Sequence, residues 1–360
     1  MWAIALLAAL LWSGLSAGLR TAAESLAASL AGPAWTAATA VLLYVAALTI
    51  LNEIAGLPLS FYSSFILERR YGLSNERLGG WLKDQGKSLA ISLVLGSAAA
   101  TVVYFFIRHF PNGWWLPAGL VFALVIAGLT NLAPVLLLPL FYHVKPLARA
   151  DLRARLIALA DRAGARVLGA YEWGLGEKTR KANAALAGLG STRRILVSDT
   201  MLAEYPDEEI EVVLAHELAH HVHGDIWKGL LLESAMVLAG FLFAASVLSR
   251  WTGWLGLDGP ADVAGLPLLL LAAGAVSLLA VPLANALSRS YERSADRFAL
   301  EITRNPAAFI SAMRRLGAQN LAEQEPSKLT KWLFHSHPPI RERIASAEGF
   351  RSQAEKLFPI

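Results

Sequence analysis

The sequence predicts a mainly α-helical, polytopic membrane protein that carries a small α+β domain. Hydrophobic residues make up 55% of the 360 residues and charged residues only 17%, whereas soluble globular domains have about 25% charged residues. The apolar residues are concentrated in long uncharged runs, as expected of membrane-spanning helices. Six runs are long enough, or nearly so, to span a bilayer: Trp2–Leu19, Trp35–Gly56, Ser88–Ile107, Leu116–Tyr142, Lys228–Ser249 and Gly265–Leu287.

Most lysine and arginine residues lie in the loops that follow the second, fourth and sixth runs, whereas the opposite loops hold little beyond Arg20. Cytoplasmic loops of membrane proteins carry the excess of positive charge. Both termini and the large central loop are therefore predicted to face the cytoplasm. The net charge of +4 is explained by this topology, so membrane lipids are expected partners and nucleic acid is not.

The first run, Trp2–Leu19, has a second interpretation as a cleaved signal peptide, because small residues lie near Ser16-Ala17-Gly18. No positive charge precedes the apolar stretch, whereas signal peptides begin with a basic region. This absence favours a retained membrane span.

Four segments organise the chain. Residues 1–143 hold the N-terminal membrane helices, interrupted by a polar loop at 58–87, and residues 144–227 form a cytoplasmic insertion. A C-terminal pair of membrane helices follows at 228–288, and a charged helical region closes the chain at 289–360. Within the insertion, Arg180–Thr200 is predicted to form two short strands around a turn at Gly188–Ser191.

The most informative motif is His-Glu-x-x-His at 216–220, which lies in a predicted helix. Side chains at positions i and i+4 of a helix share one face, so His216 and His220 can bind one metal ion. Glu217 lies one position around the helix, where its carboxylate can take a proton from a water molecule that the metal activates. The motif predicts a zinc peptidase centre. A histidine-rich helix edge is the alternative, since His221 and His223 follow directly.

A third protein ligand is needed to complete such a zinc site. The position six residues beyond His220 is Ile226, which excludes the metzincin arrangement, and the absence of cysteine excludes a thiolate ligand. His223 could compete for the metal, but its spacing makes simultaneous binding strained. Glu292 is a better candidate, because Asp296 lies one helical turn later and could accept the ring N–H of a zinc-bound histidine. The alternative is a solvated helix end whose acids are balanced by neighbouring arginines.

Several separate segments together resemble the type I CAAX prenyl endopeptidases, which are integral-membrane zinc metalloproteases of the gluzincin type. They cover most of the chain and are Leu214–His220, Leu287–Asp296, Ser336–Pro339 with Glu342-Arg343, Asn183-Ala184 with Arg194–Thr200, and the polar region from Asn52 to Asp84. The resemblance implies a ring of about six to seven transmembrane helices around a chamber. It also implies a small α+β, zincin-like cytoplasmic metalloprotease domain.

The same resemblance implies roles for individual residues. The three zinc ligands and the general base would be, in this chain, His216, His220, Glu292 and Glu217. Asp296 corresponds to an aspartate that supports a zinc ligand, and His337 to a histidine that stabilises the tetrahedral intermediate. Asn183 lies in the segment that resembles the substrate-binding edge strand.

The leading functional hypothesis is a membrane zinc metalloendopeptidase that cleaves near the C-terminus of peptides, including prenylated CAAX peptides. Its expected partners are one Zn²⁺ per chain and a peptide or protein substrate; the oligomeric state is left open. A broad quality-control protease for membrane proteins would use the same chemistry. A non-catalytic scaffold would have lost a ligand or the base, and a transporter would place charges or broken helices within its spans. Every candidate ligand and the base are present, and the spans are nearly free of charge and show no paired broken helices.

Overall fold

The computed structural model describes residues 2–188, 193–323 and 325–357. The helices in chain order are α1 (Trp2–Trp12), α2 (Leu15–Leu30), α3 (Thr36–Ser60), α4 (Glu68–Arg70), α5 (Leu78–His109), α6 (Trp115–Leu136), α7 (Leu138–Phe141), α8 (Ala150–Arg162), α9 (Asp199–Glu204), α10 (Asp207–Val222), α11 (Asp225–Trp251), α12 (Leu266–Thr303), α13 (Pro306–Gln319), α14 (Lys328–Phe334) and α15 (Ile340–Leu357). The strands are β1 (Val144–Pro146), β2 (Ala170–Trp173), β3 (Ala184–Ala187) and β4 (Arg194–Ser198).

The chain divides into two compact units. The first unit contains Met1–Leu67, Arg77–Ile126 and Leu232–Ala280, and the second contains Glu68–Glu76, Ala127–Leu231 and Val281–Ile360. Long apolar helices dominate the first unit, and the sheet lies in the second.

Among the described residues, five helices are long and apolar enough to cross a membrane, and a sixth span requires α1 and α2 to be counted as one. These two helices are bent by 76° relative to each other. The first predicted span, Trp2–Leu19, is therefore not one continuous helix. Gly14 lies at the break with φ 74°, a left-handed conformation that glycine adopts without steric cost.

The predicted polar loop at 58–87 is mostly helical in the structure, which corrects the sequence-based assignment. The helix continues from α3 through a π-helical stretch, Phe61–Leu67, and ends with α4; α5 begins at Leu78. The aromatic ring of Phe61 lies 5.2 Å from that of Phe65 and 5.3 Å from that of Trp81. Trp81 also donates a hydrogen bond from Nε1 to Ser64 Oγ at 2.9 Å. These contacts stabilise the helix despite its polar residues. Within 58–87, only residues 71–77 lack helical structure.

A four-stranded sheet in the order β1-β2-β4-β3 organises the second unit. β3 and β4 are antiparallel, which confirms the two predicted strands; residues 189–191 of the predicted turn lie outside the described residues. β2 pairs with β4 in parallel and β1 with β2 in antiparallel orientation, and the sequence analysis missed both β1 and β2. Because β3 is the last strand, its outer edge has no partner strand in the described part of the chain.

The core of the second unit forms where α8, α10 and α13 pack together. Leu156, Ile210, Leu214 and Phe309 are buried in this cluster. A buried carboxylate, Glu209, accepts hydrogen bonds from Ser311 and Arg315 of α13. The His-Glu-x-x-His segment of α10 is thus held by apolar packing along its length and by a hydrogen-bonded ion pair near its start.

Two helix boundaries differ from the predicted segment boundaries. α10 ends at Val222, and Gly224, with φ 67°, separates it from α11, which begins at Asp225. In contrast, α12 runs without interruption across the boundary predicted between 288 and 289. The candidate ligand Glu292 therefore lies on the continuation of an apolar helix rather than in a separate helical region.

Candidate metal centre

Two histidines of α10 and one glutamate of α12 meet in the second unit. His216 Nε2 lies 3.2 Å from Glu292 Oε2, and His220 Nε2 lies 3.4 Å from Glu292 Oε1. One potential ligand atom from each residue lies within 4.8 Å of the other two, and this is the one group of that kind in the described chain. The structure therefore brings the three sequence-predicted metal ligands to one point, although 72 positions separate His220 from Glu292 in the sequence.

The other ring nitrogens of the two histidines face carboxylates. His216 Nδ1 lies 2.9 Å from Asp296 Oδ1, and His220 Nδ1 lies 3.0 Å from Asp225 Oδ2. A carboxylate that accepts the Nδ1 proton fixes the tautomer in which Nε2 is free to bind a metal. Asp296 was predicted for this position, whereas Asp225 was missed. Asp225 reaches His220 because Gly224, in a left-handed conformation, turns the chain between α10 and α11.

Arg343 of α15 is a second residue that the sequence analysis left without a role. Its guanidinium donates to both oxygens of Asp296, at 2.8 Å from Nε and 2.5 Å from Nη2. The same Nη2 lies 3.3 Å from His216 Nδ1. The signal was present, because Glu342-Arg343 was part of the resemblance quoted above. Only the folded structure shows that Arg343 contacts the aspartate next to the candidate ligand.

The donor set fits a divalent metal ion such as zinc, for which two imidazole nitrogens and a carboxylate oxygen are typical ligands. Glu292 Oε2 is buried, and although His216 Nε2 lies 3.2 Å away, no described donor makes a well-oriented hydrogen bond to it. Burial lowers the pKa of His216, but the adjacent carboxylates of Asp296 and Glu292 outweigh this effect and raise the pKa to about 9. A metal ion would supply the missing partner of Glu292 and displace the proton of His216.

Glu217 lies between the two histidines in sequence but has a different environment. It is half-buried and lines a cavity together with His220. Burial raises the pKa of the Glu217 carboxyl above its usual value, although the neighbouring His216 and His220 act in the opposite direction. A carboxylate with a raised pKa beside a cavity is suited to accept and return a proton near neutral pH.

His337 lies beside the three candidate ligands, on the side of Glu292. Its Nε2 is 3.3 Å from Glu292 Oε1, and its side chain is 63% exposed. The imidazole can therefore donate a hydrogen bond to a molecule that occupies the centre.

The competing ligand candidate, His223, is not part of the cluster: its ring lies 5.7 Å from that of Phe298.

Asn183 lies immediately before β3 and is paired through its backbone. Its N–H donates to Ser198 Oγ at 3.0 Å, and its carbonyl accepts from Ser198 N at 2.9 Å. The Asn183 side chain is exposed. It therefore lies at the start of the edge strand, and among the described contacts none joins it to the metal cluster.

Family comparisons divide the chain at the same point as its sequence pattern does. Residues 146–351 match the family described as peptidase family M48. Residues 1–143 match the family described as CAAX prenyl protease N-terminal, five membrane helices. The first match contains every candidate site residue, and the two matches together cover nearly the whole chain.

Individual relatives agree with these matches. The chain is 32% identical over 309 residues to the uncharacterized metalloprotease YhfN of Bacillus subtilis, covering 85% of this chain and 72% of the relative. It is 27% identical to the probable CAAX prenyl protease 1 of Schizosaccharomyces pombe, covering 82% and 63%. The crystal structure of S. mikatae Ste24p is similar with a TM-score of 0.82 at 22% identity, covering 91% of this chain and 80% of that one. The likeness to that structure concerns the fold.

Proposed function

Because the chain belongs to peptidase family M48, we propose that this membrane metalloprotease is a zinc endopeptidase that cleaves near the C-terminus of peptides, including prenylated CAAX peptides. The observation that carries the proposal is the meeting of His216 Nε2 and His220 Nε2 at the carboxylate of Glu292, at 3.2 and 3.4 Å. The CAAX part of the proposal is supported by relatives described as CAAX prenyl proteases.

His216, His220 and Glu292 would hold the zinc ion. Asp296 and Asp225 lie 2.9 and 3.0 Å from the Nδ1 atoms of the two histidines, which supports a role for both in orienting the rings. When bound, Zn²⁺ would polarise the scissile carbonyl and activate the attacking water.

Two side chains of the protein would carry out the proton transfer and the charge stabilisation. Glu217 would accept a proton from the attacking water and deliver it to the leaving amine. His337 would donate a hydrogen bond to the oxyanion that develops on the scissile carbonyl. Its 63% exposed side chain, 3.3 Å from Glu292, is available for this contact.

The substrate would bind as an extended strand along the free edge of β3. Backbone hydrogen bonds to an edge strand provide affinity for an extended peptide without fixing its sequence. Asn183, at the start of this edge, would bind one backbone group of the peptide. The positive loops identified above support a cytoplasmic orientation of both termini and of the site, with membrane lipids around the apolar helices.

A direct test uses matched peptides with and without a farnesylated C-terminal CAAX cysteine and detergent-purified, zinc-loaded protein. We expect cleavage of the lipidated peptide and no cleavage by Glu217→Gln or by chelated protein. Glu211→Gln is a matched control, since Glu211 lies on the same helix and pairs with Arg155 at the surface.

The products distinguish the alternatives. Equal cleavage of both peptides would support a broad quality-control protease over a prenyl-peptide protease. Bound zinc without cleavage of either peptide would contradict the substrate class but not the metal site. Absence of both zinc and cleavage would contradict the whole proposal.

A further inference from the structure

A cavity of about 360 Å³ adjoins the candidate metal centre in the second unit. Its lining includes Glu217 and His220 of α10 and Leu186 and Gly188 of the β3 segment. The size falls within the range of pockets that enclose small ligands. A peptide bound along the edge of β3 would therefore lead into this cavity.

Arg193 also lines the cavity, and it directly precedes Arg194, the first residue of β4. It is only 8% exposed, and its carbonyl accepts a backbone hydrogen bond from Leu168 at 2.7 Å, which holds the residue at the start of β4. Among the described residues, its guanidinium has one weak hydrogen bond, from Nη1 to the carbonyl of Arg166 at 3.5 Å. Within the described ranges it forms no ion pair with a carboxylate.

A guanidinium in this environment has an incomplete set of partners. The group presents five N–H donors in a planar fork that matches a carboxylate, and among the described residues only Nη1 has a hydrogen-bond acceptor. Burial accordingly lowers the pKa of Arg193. An anion in the cavity would complete the hydrogen bonding and compensate the charge.

We propose that Arg193 binds the C-terminal α-carboxylate of the peptide substrate. This inference rests on the proposed function. It adds the residue that would fix the C-terminus of the peptide at a set distance from the scissile bond. Cleavage near a C-terminus leaves only a short segment beyond the scissile bond. A cavity lined by both Glu217 and Arg193 can hold such a segment and its terminal charge.

The remaining lining agrees with a peptide end as the occupant. Leu186, Ile226 and Trp227 provide apolar surface, against which the side chains of the last residues can pack. Every peptide with a free C-terminus carries a charged α-carboxylate, whatever its sequence. An Arg–carboxylate pair in this position would therefore select for chain position rather than for sequence.

The test compares peptides of one sequence that end in a free carboxylate, in a carboxamide, or in a carboxamide with aspartate as the last residue. For wild type we expect kcat/KM to be about 10-fold to 100-fold higher for the free acid, the range of one charged hydrogen-bonding contact. Arg193→Gln should reduce cleavage of the acid to the rate of the amide and leave the amide rate nearly unchanged. Arg193→Lys should retain part of the preference.

Arg194→Gln provides the matched control, because Arg194 is the next residue but its guanidinium lies over the ring of Tyr171. It should keep the wild-type preference. Equal cleavage of acid and amide by wild type would overturn the proposal. So would an equal loss on both peptides in Arg193→Gln, which would indicate a structural role, or full recovery with the aspartate amide, which would indicate binding of an acidic side chain.

Binding measurements separate this inference from the proposed function. Fluorescence anisotropy of labelled acid and amide peptides would be measured with zinc-loaded Glu217→Gln protein, with and without Arg193→Gln. Tighter binding of the acid that depends on Arg193 would support the carboxylate site even if wild type cleaved neither peptide. Equal binding of acid and amide would overturn it even if both were cleaved.

Discussion

Arg343 donates hydrogen bonds to both carboxylate oxygens of Asp296, at 2.8 and 2.5 Å. Asp296 in turn lies 2.9 Å from His216 Nδ1. A bidentate Arg–carboxylate pair is strong and geometrically specific. It therefore fixes the carboxylate in the position where it can orient the His216 ring, and the positive charge of Arg343 also favours the neutral imidazole that a metal requires.

Arg343→Ala should weaken zinc binding by about 10-fold to 100-fold, the usual effect of removing a group that supports a metal ligand. The measurement is competition with a chelator of known affinity. Activity should return largely at saturating zinc, because Arg343 does not contact the three candidate ligand atoms. Arg341→Ala is the control, since Arg341 forms an exposed ion pair with Glu325. Unchanged zinc affinity in Arg343→Ala would contradict this role.

The metal ligands of α10 could be predicted because their geometry is local. His216 and His220 are four positions apart in one helix, so the helical repeat alone places them on one face. Glu292 required an inference from a second motif, since no local rule brings α12 to α10. In the structure both side chains are buried at this contact, His216 at 7% and Glu292 at 5% exposure.

Asp225 and Arg343 could not be assigned because their roles depend on tertiary geometry. Asp225 reaches His220 only because Gly224 turns the chain with φ 67°, and a glycine in a sequence does not state its φ. The helical course of residues 58–70 was missed for a related reason. Polar residues suggested a loop, whereas the packing of Phe61 on Phe65 and Trp81 supports a helix.

Glu217→Gln should lower kcat by at least about 100-fold, because it removes the group proposed to transfer the proton. Zinc content should remain that of wild type, since Glu217 is not one of the three residues that face the metal position. The test combines metal analysis with kcat measured on the same sample. A variant that had lost zinc would point to a structural role of Glu217 instead.

His337→Ala should lower kcat by about 100-fold and change KM little, because an oxyanion donor acts mainly in the transition state. The steady-state parameters of His337→Ala and His337→Gln would be compared, and the glutamine variant should recover part of kcat through its amide donor. His335→Ala is the control, since His335 Nε2 lies 3.8 Å from Glu323, away from the candidate ligands. An effect confined to KM would contradict the oxyanion role.

Removal of zinc should make the stability of the protein depend on pH between about 6.5 and 9. The pKa of His216 in the folded metal-free site is about 9, above the value of about 6.5 for histidine in an unfolded chain. Its proton therefore stabilises the fold below pH 6.5, and this contribution is lost as the pH rises through 9. We expect the thermal midpoint of chelated protein to fall by several degrees over this range. His216→Gln should lack this component, and zinc-loaded protein should lack it too because a bound metal replaces the proton. A midpoint of chelated wild type that rises with pH, relative to His216→Gln, would contradict the carboxylate contacts proposed to hold this proton.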